Sequence, residues 1–562
     1  MQTQCTTQKL SFKGLGDRRV EAQFSAERIT TDTGGLLVRE VAEKMSLFEK
    51  AADCFTDHRD PDRREHETEE LLAQRVMGLV QGYEDLNDHD ELRSDPTWAT
   101  LAGKKEDPAG LDRTQEEDPA GLDRTQEADR GKPLASKATL GRLEHAPLAE
   151  EETDRYHQVT ASDEKIEDLF VDLFVEDLSK PEEPIVLDLD ATHDPLHGDQ
   201  EGKFFHGFYD CYCYLPLYIF CGDELLCAKL RRSNIDPSEG TLPEVEQIVE
   251  GIREKWPEAE IILRADSGFA RERIMKWCED NGVDYVFGLA KNSRLKERVE
   301  ALMAQVEEEA EQSGEPVRRF TGFFYSTLES WSRKRRVVAK AEHLTDKANP
   351  RFVVSSLSKE EWPGKALYED LYCARGEMEN RIKEQLGLFA DRTSAHRMRV
   401  NQMRLWLASL AYVLIVRLRK WGRDRMGEGP DLETTLDAPE DWGSRKGKRA
   451  PSVLRDLEAL PAERVPRGGA GKGAGGQLCR IGGQFPSRKR NVQDAPVLRP
   501  GCMGIFASKG KKCRQTRPES PSARQMPVSW RPGSARRLNA GRSLPICTAG
   551  SRPPYRLVIK AG

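Results

Sequence analysis

A mixed α/β sheet is the fold class that this 562-residue sequence predicts, and three features of its pattern predict it. From Pro184 the chain reads as strands: IVLDLDAT, then CYCYLPLYIFCGDELLCAKL, two apolar runs around a Gly-Asp turn. An alternating stretch follows. LPEVEQIVEGIREKW has apolar residues at helical spacing, IILRADSG reads as a buried strand, ARERIMKWCEDNG as a helix ending at Gly282, and DYVFGLA as another strand. After a charged helix over 294–313, strand patterns return in RRFTGFFYSTLESW, SRKRRVVAKAEHL and PRFVVSSLS. Helices at about 366–389 and 396–421 complete the series. Strands joined to a helix–strand–helix–strand unit indicate a mixed sheet.

The first hundred residues read as helical and charged, with helical spacing in LFEKAADCF and ETEELLAQRVMGLVQGY. The segment GYEDLNDHDELRSDP supplies turn and cap residues and is too acidic to grip phosphate directly, so it is assigned a structural role. The unit EDPAGLDRTQE occurs twice unchanged, at 106–116 and 117–127. Two copies do not stack into a solenoid, so a loop lengthened by duplication is expected. The apolar run LWLASLAYVLIV, 405–416, is shorter than the roughly 20 residues that span a bilayer, and Arg404 and Arg417 bracket it. It reads as a buried helix, with no membrane partner.

Charge divides the chain. Its net value is −8, yet from Val465 to the end there are 20 Lys or Arg against two acids, Asp494 and Glu519, which leaves the preceding part near −26. Beyond about Asp431 periodicity is lost, and RGGAGKGAGGQ and PESPSARQMPVSWRPGSARR have the composition of disorder. Twelve cysteines without a Cys-x-x-Cys pair, and no secretory signal, predict a reducing, cytoplasmic setting. Cys211, Cys213 and Cys221 read as small core residues on strands.

Three acids carry the chemistry. Asp190 and Asp266 each end a strand, and strand C-termini of an open α/β sheet are where ligands gather. Glu379 lies on a later helix, in a stripe with Tyr372, Arg375 and Lys383 at spacings of three, four and four. Helical periodicity turns Glu377 and Glu384 away from that stripe. Carboxylates brought together repel unless a cation neutralises them, and oxygen-only ligands suit Mg²⁺ or Mn²⁺. Two such ions roughly 3.5–4 Å apart can stabilise both oxygens exchanged in a phosphodiester displacement. The bland reading of the same helix is an exposed face laced with ion pairs. Asp188 rivals Asp190 because alternation puts both on one strand face. His193, His197 and His206 lie on different local elements without a cysteine partner, which argues against zinc. Trp331, followed by SRKRR, could stack a base beside phosphate-binding arginines or pack on its own sheet.

YCARGEMENRIKE resembles the Tyr-Arg-Glu-Lys signature of one group of DDE transposases from bacterial insertion sequences. GYEDLNDHDELRSDP, LDLDATHDPLHG, LRADSGFA, YVFGLAKN, RRVVAKAEH and NRIKEQLGLFADRTSA resemble the branch called insertion-sequence family thirteen-eighty. The resemblance runs from about Thr30 to Trp421. It implies that Asp190, within an Asp-x-Thr match, Asp266 and Glu379 are the metal-binding catalytic acids. Tyr372 and Arg375 match the first two signature positions. The signature lysine would fall on Leu386, where this chain departs from the pattern, and Lys383 lies one turn earlier on the same face.

The resemblance further implies a ribonuclease-H-like core with a β-rich insertion, preceded by a helical N-terminal domain. The boundaries are 1–150 for the helical, DNA-binding domain, 184–293 for the first part of the core, and 294–365 for the insertion with its β-rich segment 320–356. The helices carrying the glutamate span 366–424, and a tail over 425–562 is basic from about 466. The expected activity is cut-and-paste transposition with two Mg²⁺ or Mn²⁺, acting on inverted-repeat ends and target DNA at the nucleoid, as a homodimer in the synaptic complex. Tyr372, Arg375, Lys383 and Trp331 are the expected DNA contacts. The alternatives are a structure-specific nuclease of the same fold and an inactive DNA-binding relic.

Overall fold

Alternation along Ile185–Ala191 sends Leu187 and Leu189 to one face of a strand and Asp188 and Asp190 to the other, and this split organises the molecule. The structure is a computed structural model and describes residues 9–16, 18–23, 30–105, 132–344, 347–426 and 558–559. The duplicated loop 106–127 and most of the basic tail lie outside the described residues.

The chain opens with a hairpin, β1 (Lys9–Leu15) and β2 (Arg18–Gln23), where the sequence reads as helical. Strand alternation of Val20 and Ala22 toward the core wins there, and Gly16 takes the left-handed turn between the strands at φ 61°. Helices α1 (Gly35–Lys44) and α2 (Leu47–Ala52), strand β3 (Phe55–Asp57), helices α3 (Thr68–Val80), α4 (Asp88–Leu92), α5 (Pro96–Leu101) and α6 (Lys137–Glu144), strand β4 (Val159–Ala161) and helix α7 (Asp163–Asp177) follow. The segment read as structural does pack: Tyr83 and Trp98 both donate to the Asp32 carboxylate, at 3.2 and 2.9 Å, and His89 is fully buried against Trp98.

The central sheet begins at β5 (Ile185–Ala191). Short strands β6 (Asp194–Pro195), β7 (Phe204–His206) and β8 (Cys211–Tyr214) form a separate three-stranded sheet, where the sequence suggested a single strand before the Gly-Asp turn. Then come β9 (Leu217–Cys221), β10 (Glu224–Lys229), α8 (Thr241–Lys255), β11 (Ile261–Ala265), α9 (Glu272–Asp280), β12 (Asp284–Leu289) and α10 (Ser293–Ser313). Strands β13 (Val317–Tyr325), β14 (Arg335–Leu344), β15 (Lys347–Ala348) and β16 (Arg351–Ser355) complete it. The order is β10-β9-β5-β11-β12-β16-β14-β13, with β5, β11 and β12 mutually parallel and the other pairings antiparallel. The strands expected in an insertion therefore extend the central sheet through β16.

Apolar residues cover both faces. Leu187, Leu189, Leu263 and Phe287 pack with α8 and α9, while Ile262, Val286, Val338 and Val353 pack under Leu367, Tyr368 and Leu371. The last helices are α11 (Gly364–Ala366), α12 (Gly376–Gly387) and α13 (Met398–Met426), with a π-helical turn at Leu367–Tyr372 and a 3₁₀ turn at Cys373–Arg375 between the first two. Helix α13 is buried against α1, α3 and β10, as the run 405–416 predicts, and no helix among the described residues is long and apolar enough to cross a membrane. The buried Glu144 carboxylate accepts from Arg75 at 2.9 Å and from Arg404 at 2.8 Å, tying the N-terminal helices to α13. Arg417, buried, pairs with Asp177 and with Glu224.

Candidate active site

Parallel pairing aligns the ends of β5 and β11, with Leu189 opposite Ala265, so the next residues, Asp190 and Asp266, emerge at the same sheet edge. Both lie on the face covered by the helical segment that carries Tyr372, Arg375 and Glu379. Local hydrogen bonds hold each acid: Asp190 Oδ1 accepts from its neighbour Ala191 N–H at 3.0 Å, and Asp266 Oδ1 accepts from Gly268 N–H at 2.8 Å.

The helix places its stripe by changing pitch. A 3₁₀ turn has three residues per revolution, so Tyr372 and Arg375 line up one above the other, and α12 then sets Glu379 four residues on. The Arg375 guanidinium stands between two acids, 3.6 Å from Asp190 Oδ1 and 3.7 Å from Glu379 Oε1. Its Nη1 is buried without a hydrogen bond, since the contact with Asp190 is longer than one. Lys383 turns aside and donates to Asn380 Oδ1 at 3.3 Å. Glu384 joins Arg381 and Arg419 in ion pairs, in line with the periodicity that excludes it.

Burial pushes the Asp190 carboxyl up to about 6; Asp266 and Glu379 act in the same direction, while Arg375 and the Ala191 N–H oppose them. Two further acids thus act on Asp190 and share its site. The donor set of the three acids is all oxygen, which fits Mg²⁺ or Mn²⁺, and a cation at Asp190 would offset the burial and the repulsion that raise it. Among the described residues no three His, Cys, Asp or Glu side chains are gathered as a metal site. Between Asp190 and Glu379, a guanidinium supplies the positive charge instead.

Several groups that position the site gave weak signals in sequence. Asp188 is not free to act as a ligand. It is buried in a bidentate pair with Arg264, at 2.6 and 2.7 Å, and Arg264 also donates to the Leu371 carbonyl at 2.7 Å, joining β5, β11 and the helix. Gly288 on β12 leaves room for Tyr372: a Cβ there would lie 2.6 Å from the phenol oxygen and 2.9 Å from the Ser267 nitrogen. Burial raises the Tyr372 phenol, and Asp266 adds to it. Tyr209 donates to the Ala191 carbonyl at 3.4 Å and stacks on His193 at 4.2 Å, with His206 beside it at 4.8 Å. His197 is exposed.

Trp331 lies elsewhere, in the core behind α9. It is 9% exposed, edge-on to Tyr325, with Arg335 over its ring at 5.5 Å. The arginines after it bond locally: Arg333 and Arg335 pair with Glu279, Arg335 also with Glu272, and Arg336 donates to the carbonyls of Leu357, Ser358 and Trp362, while Lys334 is exposed.

Residues 12–427 match the family model described as Transposase DDE domain group 1. No curated protein matches the chain. Among solved structures, it is similar to a piggyBac transposase synaptic complex with hairpin DNA, at 12% identity, over 78% of this chain and 85% of that one, with a TM-score of 0.33.

Proposed function

The chain belongs to the group 1 DDE transposase family, and on that premise we propose that it moves an insertion sequence by cut-and-paste transposition, with Asp190, Asp266 and Glu379 as its catalytic acids. The observation that carries this reading is the bridging of Asp190 and Glu379 by Arg375 at an edge that Asp266 shares. The three carboxylates would hold two Mg²⁺ or Mn²⁺. Bound there, the ions would supply charge stabilisation for the two oxygens that exchange at phosphorus.

The chain's own groups do the rest. Displaced from between the acids, Arg375 is one turn from Glu379 and can grip a phosphate of the bound strand bidentately. Tyr372, held by Gly288, packs against the Asp266 loop, and Lys383 offers a further cation on the exposed side of α12. Trp331 is supported as a packing residue of its sheet, and as a DNA contact it would have to leave that core. The order β10-β9-β5-β11-β12, with its antiparallel first three strands and parallel last three, supports a ribonuclease-H-like core, which β13 to β16 extend as the insertion. The substrates would be the element's inverted-repeat ends and then target DNA, bound with the N-terminal helices by two copies of the chain at the nucleoid. The signature residues Tyr372, Arg375 and Glu379 favour insertion-sequence family thirteen-eighty.

The test is cleavage of DNA carrying the element's own ends. Asp190→Asn, Asp266→Asn and Glu379→Gln are each expected to lower Mg²⁺-dependent nicking by at least about a thousandfold, the scale of losing ion-borne charge stabilisation, with end binding retained. Arg375→Ala is expected to weaken end binding while metal affinity persists. Substantial nicking by any of the three acid variants overturns the assignment at that position. Nicking by the parent chain without joining of the 3′-hydroxyl to target DNA identifies a nuclease instead, and no nicking at all a relic.

A further inference from the structure

Exposed aromatic side chains gather on the β7–β8 hairpin, which follows Asp190 in the chain. Antiparallel pairing sets Phe205 opposite Tyr212, their rings 5.5 Å apart and nearly perpendicular, and both are about half exposed. Phe208, in the turn, is 85% exposed and meets the edge of Tyr209 at 5.0 Å. Exposed apolar side chains grouped on one element mark a binding site more often than scattered single residues do. Phe208 rests on Tyr209, whose hydroxyl bonds the Ala191 carbonyl and whose phenol is raised by burial and then by Asp190 and Asp266; Phe205 and Tyr212 stand on the hairpin face opposite His206, the residue Tyr209 meets. Tyr209 and Phe208 therefore lead from the end of β5 out to solvent. Positive charge flanks the hairpin. Lys203 Nζ, which donates to the Gly198 carbonyl at 2.6 Å and lies 3.8 Å from Asp199, stands 5.3 Å over the Tyr212 ring, and Arg232 is exposed at the position that bridges to Tyr214 of β8.

We propose that this hairpin is a stacking platform for unpaired bases of the DNA strand beside the phosphate being cut. The inference rests on the transposase reading of the three acids. Two features select single-stranded bases as the occupant. The rings offer faces and edges on which any base can stack, with cations placed for the linking phosphates. Phe208 is also joined, through Tyr209, to the end of β5 that carries Asp190, the acid that would act on that phosphate. Opening a duplex end costs unstacking energy, and a platform at the cut returns part of it.

Full-length protein is tested with two probes, a single-stranded oligonucleotide and a blunt duplex of the same sequence. Each carries 2-aminopurine, whose fluorescence falls when it stacks. The parent chain is expected to quench the single strand. Phe208→Ala, Phe205→Ala and Tyr212→Ala are each expected to weaken single-strand binding by about tenfold, the scale of one lost base–ring stack, with duplex binding changed less than about twofold. Phe208→Tyr keeps a ring and is expected to keep the affinity. Phe208 projects into solvent, so its variants are expected to fold, and circular dichroism checks this. Unchanged single-strand binding by Phe208→Ala, or equal weakening on both probes, overturns the platform. Conversion of a dimer to a monomer by these substitutions, read by light scattering, assigns the face to a second copy and overturns it as well. A parent chain that nicks DNA in Mg²⁺ without quenching sinks the platform alone. Quenching that persists in Asp190→Asn, or in a parent that never nicks, supports the platform independently of the catalytic reading.

Discussion

Asp190 carries a heavy electrostatic load, because burial and two neighbouring carboxylates act on it together. Its value of about 6 in the folded chain lies above the roughly 3.9 of an unfolded aspartate. In metal-free protein its contribution to stability is therefore complete below about pH 4 and is lost as pH rises through 6, on the order of 3 kcal/mol. Metal binding needs the carboxylate, so protons compete. Mn²⁺ affinity, read by electron paramagnetic resonance, is expected to be flat above about pH 7 and to fall roughly tenfold per unit below 6. A pH-independent affinity would rule out Asp190 as the metal ligand proposed above. Asp188 belongs to a different class of residue. Asp188→Asn breaks a buried bidentate pair and leaves Arg264 uncompensated, which costs about 3–5 kcal/mol. It is expected to lower the melting temperature while sparing part of the cleavage, whereas Asp190→Asn is expected to spare the fold and lose the cleavage. The reverse order would exchange the two assignments.

At the scale of elements, the site depends on how closely β12 and the Leu367–Arg375 turns approach. Gly288 permits it, since any Cβ there meets Tyr372 and the Ser267 backbone under 3 Å. Gly288→Ala is expected to cost about 1–3 kcal/mol of overpacking and to lower Mn²⁺ affinity by shifting the loop after β11. Tyr372→Phe in the same chain removes one of the two clashes and is expected to restore part of the stability. A Gly288→Ala protein that melts with the parent and binds metal equally would make Gly288 a passive position. The glycine was not singled out in sequence because DYVFGLA reads as an ordinary strand, and its partner Tyr372 lies 84 residues away. The pitch change at Leu367–Arg375 was equally hidden: uniform helical spacing and the observed π and 3₁₀ turns both bring Arg375 and Glu379 to one side.

At the scale of the molecule, the N-terminal helices and α13 share one core, and Glu144 between Arg75 and Arg404 is the polar link inside it. The basic tail contributes little to that core among the described residues: Val558–Ile559 forms a two-residue strand on β2. Truncation after Val465 is expected to leave Mg²⁺-dependent cleavage intact. It is also expected to flatten the salt dependence of non-specific DNA binding, because each Lys or Arg removed releases fewer counterions on contact with phosphate. A truncated chain that is folded by circular dichroism yet fails to cleave would make the tail part of the machinery.

Periodicity alone determined most strands of the central sheet from Ile185 to Ser355, the helices on either side of them, and the placing of Glu379 rather than Glu384 beside Arg375, because alternation and helical spacing are local properties written in consecutive residues. Strands β6 and β7 were not legible in this way. Burial of 405–416 followed from its length and composition in the same way. Register and pairing across the sheet were decided in three dimensions. Asp188 and Asp190 share a strand face and the same residue type, and only the position of Arg264 on the neighbouring strand makes one a structural ion pair and leaves the other at the site. Trp331 and its arginines carried a pattern that suits DNA as well as it suits a core. Glu272 and Glu279, on a helix more than fifty residues earlier, pair with Arg333 and Arg335 beside the buried indole. The aromatic run FFHGFYDCYCY likewise reads as strand in sequence. Its exposure arises because β7 and β8 leave the central sheet for a small one of their own, with one face left open to solvent.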